Sequence, residues 1–264
     1  MIYRIFNPCP QLCDIVDMYW YTKLVLNESV QQDYPTPVMQ GLTFNFSKLA
    51  EHHSDGSKTV TLYKEAYLFG QPVYPRVVQT HTSGIDILGV KFKPLGIARV
   101  TGINMEQLAD RIIAAEDIWG AAVGSLCDEM QAAGDTEHAI AVLERFLVRQ
   151  SVKTSLHYRV DNVDAALSLL ECHAGAISVK DLEDRTNTSR KTLERAFLTY
   201  LGMGPKLYSR IVRFNTAMQA LQQGRHTDIG RLGLELGYYD ASHFSSEFKR
   251  FAGKSPTYFI KNPE

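Results

Sequence analysis

Apolar positions change their spacing near residue 104, and that change divides the chain by fold type. Before it, short runs of β-branched and aromatic residues alternate with turn formers. Thr43–Phe46, Thr59–Tyr63, Ala66–Gly70 and Ile85–Phe92 read as strands, separated by Pro35, Pro37, Asp55-Gly56, Gly70, Pro72, Pro75, Ser83-Gly84 and Pro94. Short strands so spaced predict a small antiparallel barrel or sandwich. Asp14 to Trp20 fits a helix or a strand equally. From 104 onward the period becomes helical. Met105, Leu108, Ile112 and Ile113 predict a helix with Asn104 as its N-cap. Further helices are expected over 119–132 and 136–150, broken by Gly134-Asp135. The polar residues 151–157 read as a linker. The resulting plan is α+β: a β-rich domain with trailing helices over 1–150, the linker, and an all-helical domain over 158–264.

The helical end has an internal repeat. Val163, Ala166, Leu167 and Leu170 line a helix ending near His173. Ser178 caps a short helix with Asp181 as the helping carboxylate, and Leu182 faces inward. After a turn at Thr186-Asn187-Thr188, Ser189 opens a helix with Leu193, Ala196, Phe197, Tyr200 and Leu201 on one side. A second such pair turns at Gly237, and Asp240 opens its last helix with Phe244, Phe248 and Phe251 inward. Two short helices around a tight turn, used twice, form a helix-turn-helix layout whose second helix lies in a DNA major groove. Between the pairs, Leu207, Ile211, Phe214, Met218 and Leu221 stripe one long helix. A helix of about eighteen residues spans roughly 27 Å, long enough to hold two readers about one DNA turn apart, roughly 34 Å.

Composition sharpens this picture without changing it. A chain of 264 residues with 45% hydrophobic and 22% charged residues is long enough for two globular cores. The net charge of −1 hides an asymmetry: from residue 156 on, 15 Lys and Arg face 12 Asp and Glu, leaving 13 against 17 before it. A mildly basic rear half joined to an acidic front half suits a DNA-binding module whose specificity comes from placed residues. No apolar run approaches the eighteen residues of a membrane span, and the start of the chain lacks the apolar core of a secretory signal. A cytoplasmic location is therefore expected. Cys9, Cys13, Cys127 and Cys172 are too few and too irregular for a disulfide framework or a zinc site, and no cofactor is expected.

Candidate DNA contacts follow from position on the reader helices. Arg190, Lys191, Glu194 and Arg195 lie on the exposed start of the first. Arg195 suits a bidentate bond to guanine, and Glu194 suits the amino group of cytosine. The plain alternative is that these charges only solvate an exposed face. The second reader offers Ser242, His243, Ser245 and Ser246, which select bases less sharply, then Lys249, Arg250 and Lys254 for phosphates. His243 also fits a buried histidine that bonds a neighbouring backbone group.

These residues resemble the AraC/XylS family of bacterial transcription regulators over about 158–262. The likeness rests on Asp228-Ile229 to Gly237-Tyr238, on Asp240-x-Ser242-His243-Phe244-Ser245-x-x-Phe248-Lys249-Arg250, and on Gly253-x-Ser255-Pro256-x-Tyr258. Ser189-x-x-x-Leu193-x-Arg195-x-Phe197, Gly202-x-Gly204-Pro205 and Arg213-x-x-x-Ala217 fit as well. The resemblance implies two helix-turn-helix units on a long helix, promoter DNA as partner, and recruitment or exclusion of RNA polymerase. It also implies that Lys191, Glu194, Arg195, Ser242, His243, Ser245 and Ser246 occupy base- or phosphate-contacting positions. Gly230 departs from the family, which has Ala there. The front half is similar to a sensor-type domain found before some of these modules, through Tyr19-Trp20, Gly70-Gln71 and Gly89-Val90-Lys91-Phe92-x-Pro94-x-Gly96.

The front domain is expected to take a small-molecule effector or to dimerise. Tyr19, Trp20, Phe44, Phe46 and Phe69 are candidate walls of an effector pocket, with Gln71, Arg76 and His81 as polar anchors. Filling an ordinary β core is the competing use of the aromatics. His52-His53 is expected in a loop. Ile140, Leu143 and Leu147 offer a face for an effectorless homodimer. An enzyme fused to a DNA-binding module is a third alternative, but no nucleophile–base set, phosphate loop or Gly-x-Ser-x-Gly elbow is found.

Overall fold

Strand alternation in the front half builds two antiparallel sheets. The computed structural model describes residues 1–26, 30–47, 51–54, 59–62, 65–80, 84–153, 161–224 and 228–262; for 51–54, 59–62, 79, 80 and 161 only the backbone is described. The strands are β1 (Ile2–Phe6), β2 (Val16–Val25), β3 (Val30–Tyr34), β4 (Gln40–Asn45), β5 (Glu51–Ser54), β6 (Thr59–Leu62), β7 (Ala66–Phe69), β8 (Arg76–Thr80), β9 (Gly84–Phe92) and β10 (Ile112–Ala114). One sheet has the order β1-β2-β9-β4-β7-β10 and the other β3-β8-β5-β6. β9 sits centrally, setting Leu88 opposite both Tyr21 and Phe44. Leu88, Val90 and Phe92 point inward in strict alternation and are buried.

Helices α1 (Gly96–Thr101), α2 (Glu116–Trp119), α3 (Ala122–Ala132) and α4 (Thr136–Lys153) follow and close the front core. Trp119 meets the ring of Phe146 edge-on at 5.3 Å. The rear half carries α5 (Asp161–Cys172), α6 (Val179–Thr186), α7 (Arg190–Leu201), α8 (Pro205–Gln222), α9 (Ile229–Glu235), α10 (Ala241–Ala252) and α11 (Pro256–Lys261).

Several expectations are corrected. The ambiguous stretch after Asp14 is a strand from Val16 on. The helix expected from Asn104 stops after one turn, Met105–Gln107, although Asn104 does accept the Glu106 N–H. Asp110 then takes a left-handed backbone, φ 56°, while its carboxylate accepts from Val73 N–H (2.9 Å) and pairs with Arg76 (3.3 Å). Ile112–Ala114 fills the edge of β7 instead, pairing Ile112 with Phe69. A tertiary hydrogen-bonding partner thus overrides the local period. His52-His53 is not a loop but part of β5, paired on both sides. α4 runs to Lys153, into the stretch expected as a linker, and the remainder of that stretch lies outside the described residues, as does His81. The apolar face of α4 is not free for dimerisation, because Ile140, Leu143 and Leu147 are buried in their own domain's core.

The two halves are docked. Residues 33–38 strap across the rear domain: Thr36 N–H donates to Phe251 O (2.9 Å), and Val38 N–H donates to Asn215 Oδ1 (3.2 Å). Asn215 Nδ2 in turn donates to Thr36 O (3.0 Å). Leu95 of the front half is buried within the rear core, and Arg99 pairs with Asp164 at 2.9 Å. Gly202, at the end of α7, has φ 74° and lies so close to Met105 O that a Cβ would sit 2.4 Å from it.

Candidate nucleic-acid interface

The rear domain is organised on α8, an 18-residue helix preceded by Gly204 and started by Pro205. Its buried residues Tyr208, Ile211, Phe214, Met218 and Leu221 face both helix pairs. Phe214 meets Phe248 at 5.1 Å and Phe251 at 5.5 Å between ring centroids, and Tyr208 meets Phe197 at 6.1 Å. Aromatic contacts of this geometry add to the burial of area.

Polar bonds from the same helix lock the two pairs to each other. Arg213 donates to Gly175 O from Nη2 (2.9 Å) at the α5–α6 turn, and its guanidinium lies 5.1 Å from the Tyr238 ring at the α9–α10 turn. Ser209 Oγ donates to the same Gly175 carbonyl at 2.7 Å. Arg210 pairs with Glu247 of α10 at 2.8 Å. Of this clamp, only Arg213 stands out in the sequence; Arg210, Ser209 and Glu247 carry no signal separable from ordinary helix polarity.

In the first pair, Ser178 Oγ accepts the Asp181 N–H (3.1 Å) and donates to its carboxylate, which lowers the Asp181 carboxyl from its ordinary value. α6 ends on Asn187 at φ 48°, a left-handed position Asn tolerates. Ser189 caps α7 by accepting from Thr192 N–H at 3.3 Å. Leu193, Phe197 and Leu201 are buried on one flank, while Arg190, Lys191 and Arg195 are exposed on the other. Arg190 Nε donates to Glu194 Oε1 at 2.9 Å, one turn on, so Glu194 is half-buried and already paired. That bond holds the Arg190 guanidinium pKa above its ordinary value.

In the second pair, Asp228 caps α9, and Gly237 turns the chain at φ 75°. Asp240 Oδ1 accepts the His243 N–H at 2.7 Å to start α10. α9 and α10 approach so closely at Gly233 that an added Cβ would stand 3.0 Å from Phe244 Cβ. Phe244, Phe248 and Phe251 are fully buried, and Ser242, His243, Ser246, Lys249 and Arg250 are exposed, with Ser245 half-buried. The His243 ring is exposed, yet its Nδ1 accepts from Tyr239 N–H (3.4 Å) and Nε2 stands 3.9 Å from Glu247. His243 is thus not buried as the alternative reading has it, although one ring nitrogen keeps a backbone partner. Lys254 is placed differently from its neighbours. Its ammonium pairs with Asp33 of the front domain at 2.5 Å and lies over the Tyr258 ring, and the bond to Asp33 raises its pKa above the ordinary value.

The candidate effector residues do not share one site. Tyr19 and Phe44 are fully buried in the front core, and burial, reinforced by Glu144, pushes the Tyr19 phenol up. Trp20 lies on Gly89, where a Cβ would fall 2.0 Å from the indole, and Phe69 covers Gly41 in the same way. Phe46 packs against the core's edge. Gln71 is fully used by backbone: it accepts from Met39 N–H and donates to Pro37 O and Pro72 O. Arg76 is held by Asp110. Among the described residues, no group of three or more His, Cys, Asp or Glu is disposed to hold a metal ion, and no helix is long and apolar enough to cross a membrane.

Two family models match separate parts of the chain. A helix-turn-helix domain family matches residues 182–262, and a domain of unknown function (DUF6597) matches 4–114. The chain is 33% identical over 87 residues to the uncharacterized HTH-type transcriptional regulator YidL of Escherichia coli K12, covering 33% of this chain and 29% of that protein. It is 34% identical over 111 residues to the HTH-type transcriptional activator RhaS of Escherichia fergusonii, covering 39% of each. The chain thus spans well under half the length of the curated relatives it matches. The crystal structure of ToxT from Vibrio cholerae aligns over 92% of this chain and 98% of that one at 11% identity, with a TM-score of 0.49.

Proposed function

We propose a mode of action for this chain, which belongs to the AraC/XylS family of helix-turn-helix transcription regulators: α7 and α10 enter successive major grooves on one side of a promoter duplex. The observation that carries this reading is a shared design. Each helix is opened by a side-chain cap, buries one apolar flank on α8 and leaves a polar flank exposed from its first turn. The clamp through Arg210 and Arg213 supports the two readers acting as one rigid body.

Roles follow from exposure and existing partners. Arg195 is the base-reading residue of α7, because no partner within the described chain holds it. Glu194 acts mainly by fixing Arg190, and Lys191 meets backbone phosphate. On α10, Ser242, His243, Ser245 and Ser246 read base edges, while Lys249 and Arg250 neutralise phosphates, joined by Lys254 only once it is released from Asp33. The front domain serves as a cytoplasmic sensor that transmits effector binding through the docked strap; RNA polymerase is the downstream partner, and the protein has no catalytic role. Homodimerisation, if used, takes a surface other than α4's apolar face.

The test is helical phasing. Sites selected from random duplex DNA should contain two boxes about 10 bp apart, centre to centre. Inserting about half a turn between the boxes should reduce binding to that of one box. Equal binding to the phased and dephased duplexes would overturn the two-groove reading.

A further inference from the structure

The front domain grips each reader helix at its C-terminal end. Gly202, which closes α7, lies against the loop 102–111: a Cβ there would fall 2.4 Å from Met105 O and 2.5 Å from Ala109 Cβ. Tyr200, two residues earlier, packs against the cores of both domains. On α10, Phe251 O accepts from Thr36 N–H of the strap (2.9 Å). Gly253, two residues on, lies against residues 70–76, where a Cβ would stand 3.7 Å from Pro75 Cγ. These contacts fall away from the capped starts of the helices, the part of a recognition helix that meets bases.

Two residues join the three front-domain segments that make these contacts. Gln71 is buried, and its amide bonds backbone at every polar atom. Oε1 accepts from Met39 N–H (3.0 Å), next to the strap, while Nε2 donates to Pro37 O of the strap and to Pro72 O. Its own main-chain carbonyl accepts from Asp110 N–H (3.0 Å). Asp110 Oδ1 in turn accepts from Val73 N–H (2.9 Å) and pairs with Arg76 (3.3 Å). Strap, residues 70–76 and loop 102–111 therefore meet at Gln71 and Asp110. The strap leads to α10 and the loop leads to α7, so these two residues connect the ends of the two readers.

Small tilts of a reader matter at the scale of DNA. α7 and α10 have 12 residues each, and a helix of that length is about 18 Å long. A tilt of about 10° about one end moves the other by about 3 Å, close to the step of one base pair. Packing on α8 holds each helix along one flank and leaves such a tilt open. A second grip at the helix end removes it.

We propose that Gln71 and Asp110 are positioning residues for DNA binding: through the strap and the loop 102–111 they hold α7 and α10 at the spacing of two successive major grooves. Neither touches DNA. Two linked readers bind tightly only when their separation matches that of their sites. Loosening the joint therefore lowers affinity for the paired boxes and leaves the contacts to each box intact. Gly70 belongs to the same joint, because a Cβ there would fall 2.1 Å from Leu108 O. This role rests on the two-groove reading above.

The experiment uses the full chain and fluorescence anisotropy at low salt with three duplexes: two boxes in phase, the same boxes with half a turn inserted, and one box alone. Gln71→Ala should lose about tenfold on the phased duplex and stay within about twofold of the parent on one box. Asp110→Ala should do the same. Asp110→Asn keeps an acceptor for Val73 N–H and tolerates the left-handed backbone (φ 56°), so it should stay within about twofold of the parent on all three duplexes. Should Gln71→Ala not fold, the two Asp110 variants decide. Parental binding of the phased duplex by both alanine variants would overturn the proposal. So would equal losses on phased and single-box duplexes, or an Asp110→Asn that behaves like Asp110→Ala. A parent that binds phased and dephased duplexes alike would instead remove the two-groove reading itself, and the positioning role with it.

Discussion

Asp33→Ala tests whether the front domain withholds a phosphate contact from DNA. Lys254 Nζ lies 2.5 Å from Asp33 Oδ2, at the end of the strap that reaches α10 through Thr36. The two side chains are 38% and 44% exposed, so solvent screens the pair and its worth to stability is slight. Its worth to DNA binding is larger, because a lysine that neutralises carboxylate cannot also neutralise phosphate. Freeing it should add one phosphate contact, which steepens the plot of log affinity against log salt by about 0.9. Between 50 and 200 mM salt the variant should therefore lose about 3.5-fold more affinity than the parent. Fluorescence anisotropy with a labelled duplex at several salt concentrations reads this slope directly. Adding Lys254→Ala to the variant should restore the parental slope. A slope unchanged by Asp33→Ala would refute both the phosphate role of Lys254 and its competition with Asp33.

Four further outcomes are expected. Arg195→Ala should cost about 1–3 kcal/mol and relax the base preference at one position, and unchanged selectivity over a panel of single-base variants would remove its reading role. Lys249→Ala should lower affinity for all sequences alike and flatten the salt slope by about 0.9, whereas a sequence-selective loss would argue against a phosphate contact. Gly233→Ala forces a methyl to within 3.0 Å of Phe244 Cβ and should destabilise the rear domain by about 1–3 kcal/mol in thermal melts. At Gly230 the nearest atom to an added methyl is the Asp228 carboxylate at 3.3 Å, so Gly230→Ala should be neutral or gain up to about 1 kcal/mol. If the two substitutions had equal effects, close packing of α9 on α10 would not be the reason for glycine at Gly233.

Much of the rear domain was legible because its signals are local. A cap such as Ser189 or Asp240 bonds an amide three residues on, and the 3.6-residue spacing of Phe244, Phe248 and Phe251 needs no distant partner to declare a buried flank. Strand positions in the front half were legible for the same reason, through short runs of β-branched and aromatic residues bounded by turn formers at β4, β7 and β9. Only tertiary structure decided what depends on distant pairs. Ile112 and Ile113 carry a pattern that fits a helix, but the edge of β7 offered them hydrogen bonds and they became a strand. The aromatics that suggested an effector pocket pack into the core or against glycines. Gln71 and Asp110 have no sequence signature as a joint, because the backbone groups they bond come from segments that only folding brings together. The bond from Asp33 to Lys254 spans 221 positions, and charge alone cannot tell a lysine that meets phosphate from one already held by a carboxylate.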